Sequence, residues 1–367
     1  MRSASERAEA PSPQPAAPAE TPRPPRVAVI GAGAWGTAFA QLSADAGAQV
    51  RVLTRDAELA RALSAGANPR DYPGAELPPM AGCVDPAQAL DGADFVAVAV
   101  SAQAVGGVMA GLARFVPSTA VLVSLSKGVE VGTGRRMSQV LHDAVHVPPQ
   151  RVAAVSGPNL AGELIRRQPS ATVVACPDEA AARALARAMA TGYLRPYTNT
   201  DLVGVEICGA MKNIVALAVG AAQAMGFGLN TAATLMTRGL AEITRLGLAL
   251  GADLETFAGM AGIADLAATC LSPLSRNHRV GEELGRGTPV PDAIAAVGGT
   301  AEAVQTCLAV QGLARDRGVD VPITDGVVAV LHQGVPVAQM GRELLARPFR
   351  SEGSRYEAWP AGTVAGP

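Results

Sequence analysis

The chain has 367 residues, of which 49% are hydrophobic and 3% aromatic, and its formal net charge at pH 7 is -2. This length suggests about two domains, and the charge balance lacks the basic excess typical of proteins that bind nucleic acid or anionic membranes. The five cysteines lie far apart with no C-x-x-C pair, so we expect reduced thiols in a cytoplasmic protein rather than a disulfide framework.

The two ends of the chain differ in composition from the rest. Residues 1–25 are rich in Ala, Pro, Ser and Glu and lack the apolar segment of a secretory signal, which predicts a disordered extension. Residues 348–367 contain Gly, Pro and Ser, which predicts a loose tail. Between these ends we expect a dinucleotide-binding domain over 26–200 and a helical substrate domain over 201–347.

The first predicted strand leads into a glycine-rich turn, RVAVIGAGAWG over residues 26–36. Gly31, Gly33 and Gly36 form a G-x-G-x-x-G between a buried apolar run and a helix-like run from Thr37 to Ala46. The first glycine allows a sharp turn, the second lets a pyrophosphate approach the backbone, and the third lets the helix pack closely on the strand. Because a helix N-terminus favours anions, this turn predicts a dinucleotide site.

Arg55 follows the second predicted strand, QVRVLT over residues 49–54. In NAD-specific folds an acidic residue near this point binds the ribose 2′-hydroxyl, whereas a basic residue suits the 2′-phosphate of NADP. Arg55 therefore predicts a preference for NADP(H), with NAD(H) left open as a second cofactor. The alternative is that Arg55 is a surface residue paired with Asp56.

Apolar strands alternate with amphipathic helices as far as residue 200. Further strands are expected at 94–100, 119–125, 151–156, 171–176 and 193–198. This alternation is typical of a parallel sheet with helices on both faces. After that the sequence predicts only helices, at 201–225, 229–250, 262–271, 276–285, 300–317, 323–332 and 336–346. The predicted fold class is α/β, a Rossmann-type dinucleotide-binding domain followed by an all-helical C-terminal domain.

One helical stretch could be mistaken for a membrane span. Between Lys212 and Arg238 there are 25 residues without charge, which is long enough to cross a bilayer. Gln223, Asn230 and the break at 226–228 favour two buried helices of a folded domain instead, so we expect no membrane span.

Several polar residues lie where chemistry is expected. Lys127 follows a predicted strand and should lie at the mouth of the cofactor crevice, where ligands of open α/β sheets bind. Lys212 is surrounded by small and apolar residues, and a buried lysine must find a partner or lose its proton, which makes it a candidate general acid and base. The alternative is a lysine whose head reaches solvent at the domain seam. Asp265 is likewise a lone carboxylate in an apolar stretch.

Two further groups suggest ligands. Ser275, Arg276 and Asn277 open a predicted helix, an arrangement suited to phosphate. His142 and His146 resemble half of a zinc motif, but they lie at the end of a predicted helix with no evident third ligand, so no metal site is expected.

Taken together, these stretches resemble the bacterial-type NAD(P)-dependent glycerol-3-phosphate dehydrogenases over nearly all of residues 26–347. Members of that family oxidise the C2 alcohol of sn-glycerol 3-phosphate, or reduce dihydroxyacetone phosphate, with NAD(P). The stretches that carry the resemblance are GAGAWGTAFA (31–40), SLSKGVE (124–130), SGPNLAGE (156–163), GAMKNIVALAVG (209–220), GFGLNTAATLMTRGLAEITRLG (226–247), MAGIADLAATC (260–270) and SRNHRVG (275–281).

The resemblance implies a role for each matching residue. Lys212 is implied as the proton acceptor and donor at the substrate oxygen. Substrate contacts are implied for Lys127, Gly157, Asn159, Lys212, Asp265, Ser275, Arg276 and Asn277. Cofactor contacts beyond the three glycines of the turn are implied for Ala34, Trp35, Arg55, Lys127, Ala161, Arg276 and Glu302.

Three positions depart from the family's pattern. Asn159 replaces a hydroxyl residue that is often found there. The stretch NPRDYPG (68–74) moves the tyrosine, Tyr72, by one place. Near Glu302 the chain has Thr300 and Ala303 where the family tends to have valine and glycine.

The resemblance implies a cytoplasmic dehydrogenase that makes the glycerol phosphate head of phospholipids. Its expected partner is a small-molecule substrate, with no nucleic acid and no membrane span, and a homodimer is compatible with the sequence. One alternative is a related two-domain NADP-dependent reductase of a 2-keto or 3-hydroxy acid, against which the phosphate-suited residues 275–277 argue. Another is a nucleotide-sensing protein without turnover, whose mark would be loss of Lys212 or of that cluster.

Overall fold

The computed structural model describes residues 23–346 of the chain. The strands in this range are β1 Arg26–Ile30, β2 Gln49–Leu53, β3 Ala81–Cys83, β4 Phe95–Val98, β5 Val121–Ser124, β6 Val152–Ser156, β7 Ser170–Ala175 and β8 Leu194–Asn199. The α-helices of the same range are α1 Ala34–Asp45, α2 Ala57–Ser64, α3 Pro86–Leu90, α4 Val105–Leu112, α5 Met137–Val145, α6 Ala161–Ile165, α7 Glu179–Met189, α8 Leu202–Ala224, α9 Leu229–Ala249, α10 Leu254–Phe257, α11 Asp265–Leu271, α12 Arg276–Gly285, α13 Val290–Ala296, α14 Ala303–Asp316, α15 Pro322–Gln333 and α16 Val337–Leu345. Short 3-10 helices cover Ala102–Ala104, Ala113–Phe115 and Pro149–Arg151, and a π-helical turn covers Met260–Ala264.

The strands form a single sheet within the described chain, in the order β3-β2-β1-β4-β5-β6-β7-β8. The strand order reverses between β1 and β4, which are neighbours in the sheet. Open α/β sheets bind their ligands outside the carboxyl ends of the strands at such a reversal. The predicted fold class, a Rossmann-type domain followed by an all-helical domain, is confirmed.

The central strands are apolar on both faces because helices cover both sides of the sheet. Val29 of β1 packs with Phe39 of α1 on one face. The next residue, Ile30, points to the opposite face and packs with Met109 of α4. The continuous apolar run before the glycine turn therefore serves two separate cores.

Two strands, β7 and β8, run against the predicted direction, because β7 is antiparallel to β6 and β8 is parallel to β7. The sequence pattern predicts a parallel sheet, but β6 and β7 are antiparallel, with Ala154 opposite Ala175. The two strands are connected by a loop and the short helix α6. An antiparallel neighbour needs no long crossover, so this short connection is sufficient.

The predicted extension and tail largely concern residues 1–22 and 347–367, which lie outside the described residues. Residues 23–25, which the sequence analysis assigns to the extension, are described. The guanidinium of Arg23 donates to both carboxylate oxygens of Asp94, at 2.9 and 2.6 Å. Contacts with the first domain therefore begin before Arg26, because a two-point ion pair holds the chain there.

Helix α8 forms the centre of the C-terminal domain. Its window of membrane-like length and composition is 89% buried within the protein, and a second such stretch, Leu254–Leu271, is divided among two helices and a π-helical turn. These features give no clear membrane span among the described residues. Asp201 caps α8 by accepting the N–H of Gly204 at 2.8 Å, and its other oxygen accepts the hydroxyl of Thr256 at 2.7 Å.

Two glycines bring α12 against α8. A Cβ atom on Gly220 would overlap the backbone of His278, and a Cβ on Gly281 would overlap that of Leu217. Further along, Gly285 of α12 lies against α8 at Ala221. Helix α12 therefore packs closely against the C-terminal half of α8, from Leu217 to Ala221.

Candidate active site

The glycine turn after β1 has the shape of a phosphate cradle. Gly31 has φ +104°, and a Cβ there would lie 2.8 Å from the carbonyl oxygen of Ala99. A Cβ on Gly36 would overlap the carbonyl oxygen of Gly31. Gly33 caps α1 without a side-chain hydrogen bond, and a Cβ on it would meet no atom within 4 Å. The backbone is thus open where a pyrophosphate would rest on the N-terminus of α1, beginning at Ala34, so these residues fit a dinucleotide.

Residues 68–74, one of the stretches that depart from the family's pattern, contact this glycine turn. The hydroxyl of Tyr72 donates to the carbonyl oxygen of Ala34 at 2.8 Å, and Arg70 donates to the carbonyl oxygen of Ala32 at 2.9 Å. Burial is the largest cause of the raised pKa of Tyr72, so this phenol stays protonated. Nε1 of Trp35 is buried and has no hydrogen-bond partner among residues 23–346, which leaves a donor for a ligand at the start of α1.

Arg55 is exposed just after β2. The carboxylate of Asp56 accepts the N–H groups of Glu58 and Leu59, at 2.9 and 3.1 Å, and so caps α2. Within the described range no ion pair joins Arg55 to Asp56. The structure therefore lacks the expected alternative, an ion pair between Arg55 and Asp56. The guanidinium of Arg55 is available to a ligand at the carboxyl end of β2.

A buried cluster of two lysines and one aspartate lies where the two domains meet. Nζ of Lys212, on α8, donates to Oδ1 of Asp265, the first residue of α11. Nζ of Lys127, in the loop after β5, donates to Oδ2 of the same carboxylate at 2.8 Å. Lys212 is 6% exposed and Asp265 1%. The sequence predicted these three residues as separate candidates for the active site, and the structure joins them in one charge cluster.

The loop after β6 completes the surroundings of this carboxylate. The N–H of Gly157 and the hydroxyl of Ser156 each donate to Oδ2 of Asp265 at 3.3 Å. The carbonyl oxygen of Gly157 accepts Nζ of Lys127 at 3.1 Å. Gly157 has φ +142°, and a Cβ there would lie 3.0 Å from Cα of Thr172, so a side chain at this position would be strained.

The cluster sets the protonation of its members. Burial is the main cause that lowers the pKa of Lys212 to about 7, and the nearby ammonium of Lys127 adds to that effect while Asp265 opposes it. Burial alone would raise the pKa of Asp265, but the two ammonium groups outweigh it and hold that pKa below its usual range. Asp265 therefore stays a carboxylate at neutral pH, while Lys212 can gain or lose a proton, as a general acid and base requires.

Thr269 is a member of the site that the sequence analysis did not name. Its hydroxyl donates to the carbonyl oxygen of Asp265 at 2.7 Å, so its oxygen can only accept from Nζ of Lys212, at 2.8 Å. Thr269 therefore helps to fix the direction of the ammonium group. The signal for it was a hydroxyl one helical turn after Asp265 in the same apolar stretch.

The residues at the start of α12 have structural contacts of their own. The hydroxyl of Ser275 accepts the N–H of His278 at 3.3 Å and caps the helix, and Oδ1 of Asn277 accepts the N–H of Ala303 at 3.1 Å. Arg276 is exposed, with its guanidinium next to Gly299. The structure thus leaves Arg276 as the most accessible of the three predicted phosphate ligands.

Two predicted cofactor residues, Glu302 and Ala161, lie near the junction of the two domains. Glu302, at the start of α14, reaches the first domain, where it accepts the N–H of Ala102 at 3.3 Å and lies next to Gly128. Burial raises the pKa of Glu302 above its ordinary value. Ala161 begins α6 directly after the loop that contacts Asp265. Both predicted cofactor residues are therefore at the domain junction.

No group of three or more His, Cys, Asp or Glu residues within 23–346 is arranged to hold a metal ion. Nδ1 of His142 instead contacts the carbonyl oxygen of Val147 at 2.5 Å, and His146 ends α5 in a left-handed conformation. The five cysteines are all buried and free of disulfides.

Comparison with known proteins accounts for both halves of this arrangement. The protein-family model named NAD-dependent glycerol-3-phosphate dehydrogenase N-terminus matches residues 26–182. The family model for the C-terminus of the same enzymes matches residues 201–342. The chain belongs to the NAD-dependent glycerol-3-phosphate dehydrogenase family. The first match contains the glycine turn and Lys127, and the second contains Lys212 and Asp265.

Individual relatives agree with this family. The chain is 50% identical over 331 residues to the glycerol-3-phosphate dehydrogenase [NAD(P)+] of Streptomyces griseus subsp. griseus, covering 90% of this chain and 98% of the relative. It is 51% identical over 334 residues to the protein of that name from Streptomyces avermitilis, again covering 90% of this chain and 98% of the relative. The crystal structure of glycerol-3-phosphate dehydrogenase from Coxiella burnetii has a TM-score of 0.83 and 32% identity, covering 88% of this chain and 99% of that one.

Proposed function

We propose that this chain interconverts dihydroxyacetone phosphate and sn-glycerol 3-phosphate with NADP(H), and also with NAD(H), to supply phospholipid synthesis. The observation that carries the proposal is the buried cluster of Lys212, Asp265 and Lys127 at the mouth of a dinucleotide-binding sheet. A buried amine whose pKa is about 7 is suited to move one proton at a carbonyl or alcohol oxygen.

In the proposed mechanism the bound nicotinamide cofactor supplies or accepts a hydride at C2 of the substrate. Lys212 gives its proton to the C2 oxygen during reduction and takes it back during oxidation. Asp265 stays ionised and holds the ammonium of Lys212 in one direction, together with the hydroxyl of Thr269. Lys127, which binds the other oxygen of Asp265, adds a positive charge that favours the deprotonated form of Lys212.

The remaining proposed contacts orient the two ligands. Gly31, Gly33 and Gly36 with the start of α1 hold the pyrophosphate, supported by the open backbone at the second glycine. Arg55 binds the 2′-phosphate of NADP(H), supported by its exposure and by the capping role of Asp56.

On the substrate side, Arg276 binds the phosphate with the help of its neighbours in the first turn of α12. The position of that turn supports this, because residues 272–275 connect it to α11, whose first residue, Asp265, binds Lys212. Further substrate contacts are proposed for Lys127, Gly157, Asn159, Asp265, Ser275 and Asn277, and further cofactor contacts for Ala34, Trp35, Lys127, Ala161, Arg276 and Glu302.

We further propose that residues 26–200 bind the cofactor, that residues 201–347 provide the acid-base lysine and the phosphate site, and that the enzyme works in the cytoplasm. The five free, buried cysteines agree with a reducing compartment. A homodimer is compatible with this proposal, and light scattering of the purified chain measures the assembly state directly.

The deciding experiment follows the absorbance of NADPH with the full chain and dihydroxyacetone phosphate. Rapid oxidation of NADPH is expected, and ketopantoate at the same concentration should give no comparable rate because it lacks a phosphate for Arg276. A rate with ketopantoate that exceeds the rate with dihydroxyacetone phosphate would favour the related keto-acid reductase instead. Binding of NADPH without turnover of either substrate would favour a nucleotide sensor.

A further inference from the structure

A separate hydrogen-bond network fixes the side chain of Asn159, the residue at which this chain departs from the family's hydroxyl. Nδ2 of Asn159 donates to Oγ1 of Thr172, on the neighbouring strand β7, at 2.8 Å. Oγ1 of Thr172 is 3.0 Å from the carbonyl oxygen of Ser156 and donates to it. Thr172 is fully buried, so this hydroxyl has no access to solvent.

The proton count of this network determines how the amide of Asn159 is oriented. A threonine hydroxyl has one proton, and here the carbonyl oxygen of Ser156 receives it. Toward Asn159 the Thr172 oxygen therefore offers only lone pairs, which require the N–H side of the amide. Oδ1 of Asn159 must then point away from Thr172.

This amide oxygen has no donor of its own within the protein. Oδ1 of Asn159 is buried and accepts no hydrogen bond from any residue between 23 and 346. Buried acceptors are nearly always paired, because an unpaired one costs more than a hydrogen bond gains. The oxygen is thus suited to a ligand that brings an O–H or N–H group, and it would repel the oxygens of a phosphate.

The loop that carries Asn159 also touches the acid-base cluster. The N–H of Asn159 donates to the carbonyl oxygen of Gly157 at 2.7 Å, and that oxygen also accepts Nζ of Lys127. The N–H of Gly157 donates to Asp265. In the proposed function, the C2 oxygen of the substrate faces Lys212 and its phosphate faces the start of α12. The free hydroxymethyl group is then the one donor of the substrate without an assigned partner.

We propose that Thr172 is a positioning residue, which turns the amide of Asn159 so that Oδ1 accepts a hydrogen bond from the free primary hydroxyl of the substrate. This inference rests on the proposed function and deepens it, since it assigns recognition of the third substituent at C2. It makes Asn159 a determinant of selectivity for hydroxymethyl ketone phosphates over their deoxy analogues.

The test compares dihydroxyacetone phosphate with hydroxyacetone phosphate, in which a methyl group replaces the hydroxymethyl group. The ratio of the two kcat/KM values is measured for the wild type and for Thr172→Val, which removes the hydroxyl but keeps the branched shape. This substitution should lower the ratio by about tenfold, through the loss on dihydroxyacetone phosphate, because the orientation of the amide is no longer fixed. Thr172→Ser keeps the hydroxyl and should retain the wild-type ratio within about threefold.

Asn159→Ala supplies a second route to the same result, because it removes the amide from the loop without altering the buried strand β7. It should lower the ratio about as much as Thr172→Val does. The KM for NADPH is measured for every variant and should stay within about twofold of the wild type, because the inference assigns no cofactor contact to this oxygen.

Three results would overturn the inference while leaving the proposed function intact. Equal losses on both substrates would show that Thr172 and Asn159 serve only the fold. An unchanged ratio in Asn159→Ala would show that Oδ1 meets no substrate hydroxyl. A raised KM for NADPH with an unchanged ratio would show that Oδ1 faces the carboxamide of the cofactor. A wild-type enzyme that binds NADPH but reduces neither ketone would overturn the proposed function as well.

Discussion

Lys212 and Asp265 are 53 positions apart in the chain and form an ion pair that is almost completely buried. Breaking such a pair is costly because it leaves one charge buried without a partner, whereas a fold can often replace the whole pair with apolar residues. The presence of this ion pair is therefore weak evidence that Lys212 and Asp265 stabilise the fold. Its position beside Lys127, at the carboxyl ends of the strands, fits a catalytic use of the buried amine.

Replacement of Lys212 by alanine should lower kcat for dihydroxyacetone phosphate by about a hundredfold to ten-thousandfold, the usual contribution of general acid-base catalysis. The dissociation constant for NADPH should stay nearly unchanged, because Lys212 lies in the helical domain and the glycine turn lies in the first domain. Fluorescence titration of NADPH provides the control. Activity within about threefold of the wild type would remove Lys212 from the mechanism.

The two directions of the reaction should depend on pH in opposite ways. Burial lowers the pKa of Lys212 to about 7, and reduction needs its protonated form whereas oxidation needs its neutral form. The kcat/KM for dihydroxyacetone phosphate should therefore fall as the pH rises through about 7, and that for sn-glycerol 3-phosphate should rise over the same interval. Initial rates between pH 5.5 and 9 measure both profiles. Profiles that move in the same direction would assign the proton to another group.

The sequence predicted the individual charges of the site but not their pairing. Lys212 and Asp265 each stood out as a lone charge in an apolar stretch, which is a local signal. That both meet Lys127 depends on how α8 and α11 pack against the loop after β5, and no local pattern contains that information. For the same reason the contact between Asn277 and Ala303 could not be predicted, whereas the cap that Ser275 forms with His278 is a local contact.

The fold was predictable where the apolar pattern is strong. Strand β1 was recognised from its run of apolar residues, whereas β3 has the sequence AGC and offers no such run. The first helix was expected from Thr37 but begins at Ala34, because Gly36, which reads as part of the turn, is already helical. The direction of β7 could not be predicted, since a strand buried on both faces has the same composition in either direction.

Glu242 should make the stability of the protein depend on pH. Its carboxyl accepts the N–H groups of Ile323 and Thr324 at the start of α15, but burial outweighs these bonds and raises its pKa to about 8. A group whose pKa is higher in the folded state than in the unfolded one stabilises fully below its unfolded pKa. This contribution is lost as the pH rises from the ordinary value of 4.5 through about 8.

Glu242→Gln removes this titration and keeps one acceptor oxygen in place of the two that bind the N–H groups of Ile323 and Thr324, a loss that does not depend on pH. The difference in free energy of unfolding, Gln variant minus wild type, should therefore increase between pH 5 and 8 and then level off. Urea denaturation at a series of pH values measures it, and other titrating groups cancel because both proteins contain them. A difference independent of pH would show that Glu242 has the same pKa in both states.

Arg55 should decide the choice of cofactor. A charge-assisted hydrogen bond to the 2′-phosphate is worth roughly 1.5 to 3 kcal/mol, so Arg55→Ala should raise the KM for NADPH at least tenfold. The KM for NADH should change little, because NADH has no phosphate there. Arg61→Ala, an exposed change on the following helix α2, is a matched control and should affect neither cofactor. Equal losses for both cofactors would contradict the assignment of Arg55.

The substrate phosphate should depend on the guanidinium of Arg276 rather than on its charge alone. Arg276 is exposed at the first position of α12, whereas Ser275 and Asn277 already contact His278 and Ala303. Lysine in its place keeps the charge but loses the two-point geometry, so Arg276→Lys should weaken the binding of dihydroxyacetone phosphate by roughly 1 to 3 kcal/mol.

Turnover of the Arg276→Lys variant should fall as well, because binding energy from the remote phosphate is used to hold C2 in the reactive position. Dihydroxyacetone with and without free phosphite separates the two roles of the residue. The variant should lose much more activity on dihydroxyacetone phosphate, and in its activation by phosphite, than on dihydroxyacetone alone, where the proposed cofactor contact of Arg276 is the one affected. Equal impairment on the phosphate-free ketone would show that Arg276 serves only the cofactor or the fold, since that substrate offers nothing for its guanidinium to bind.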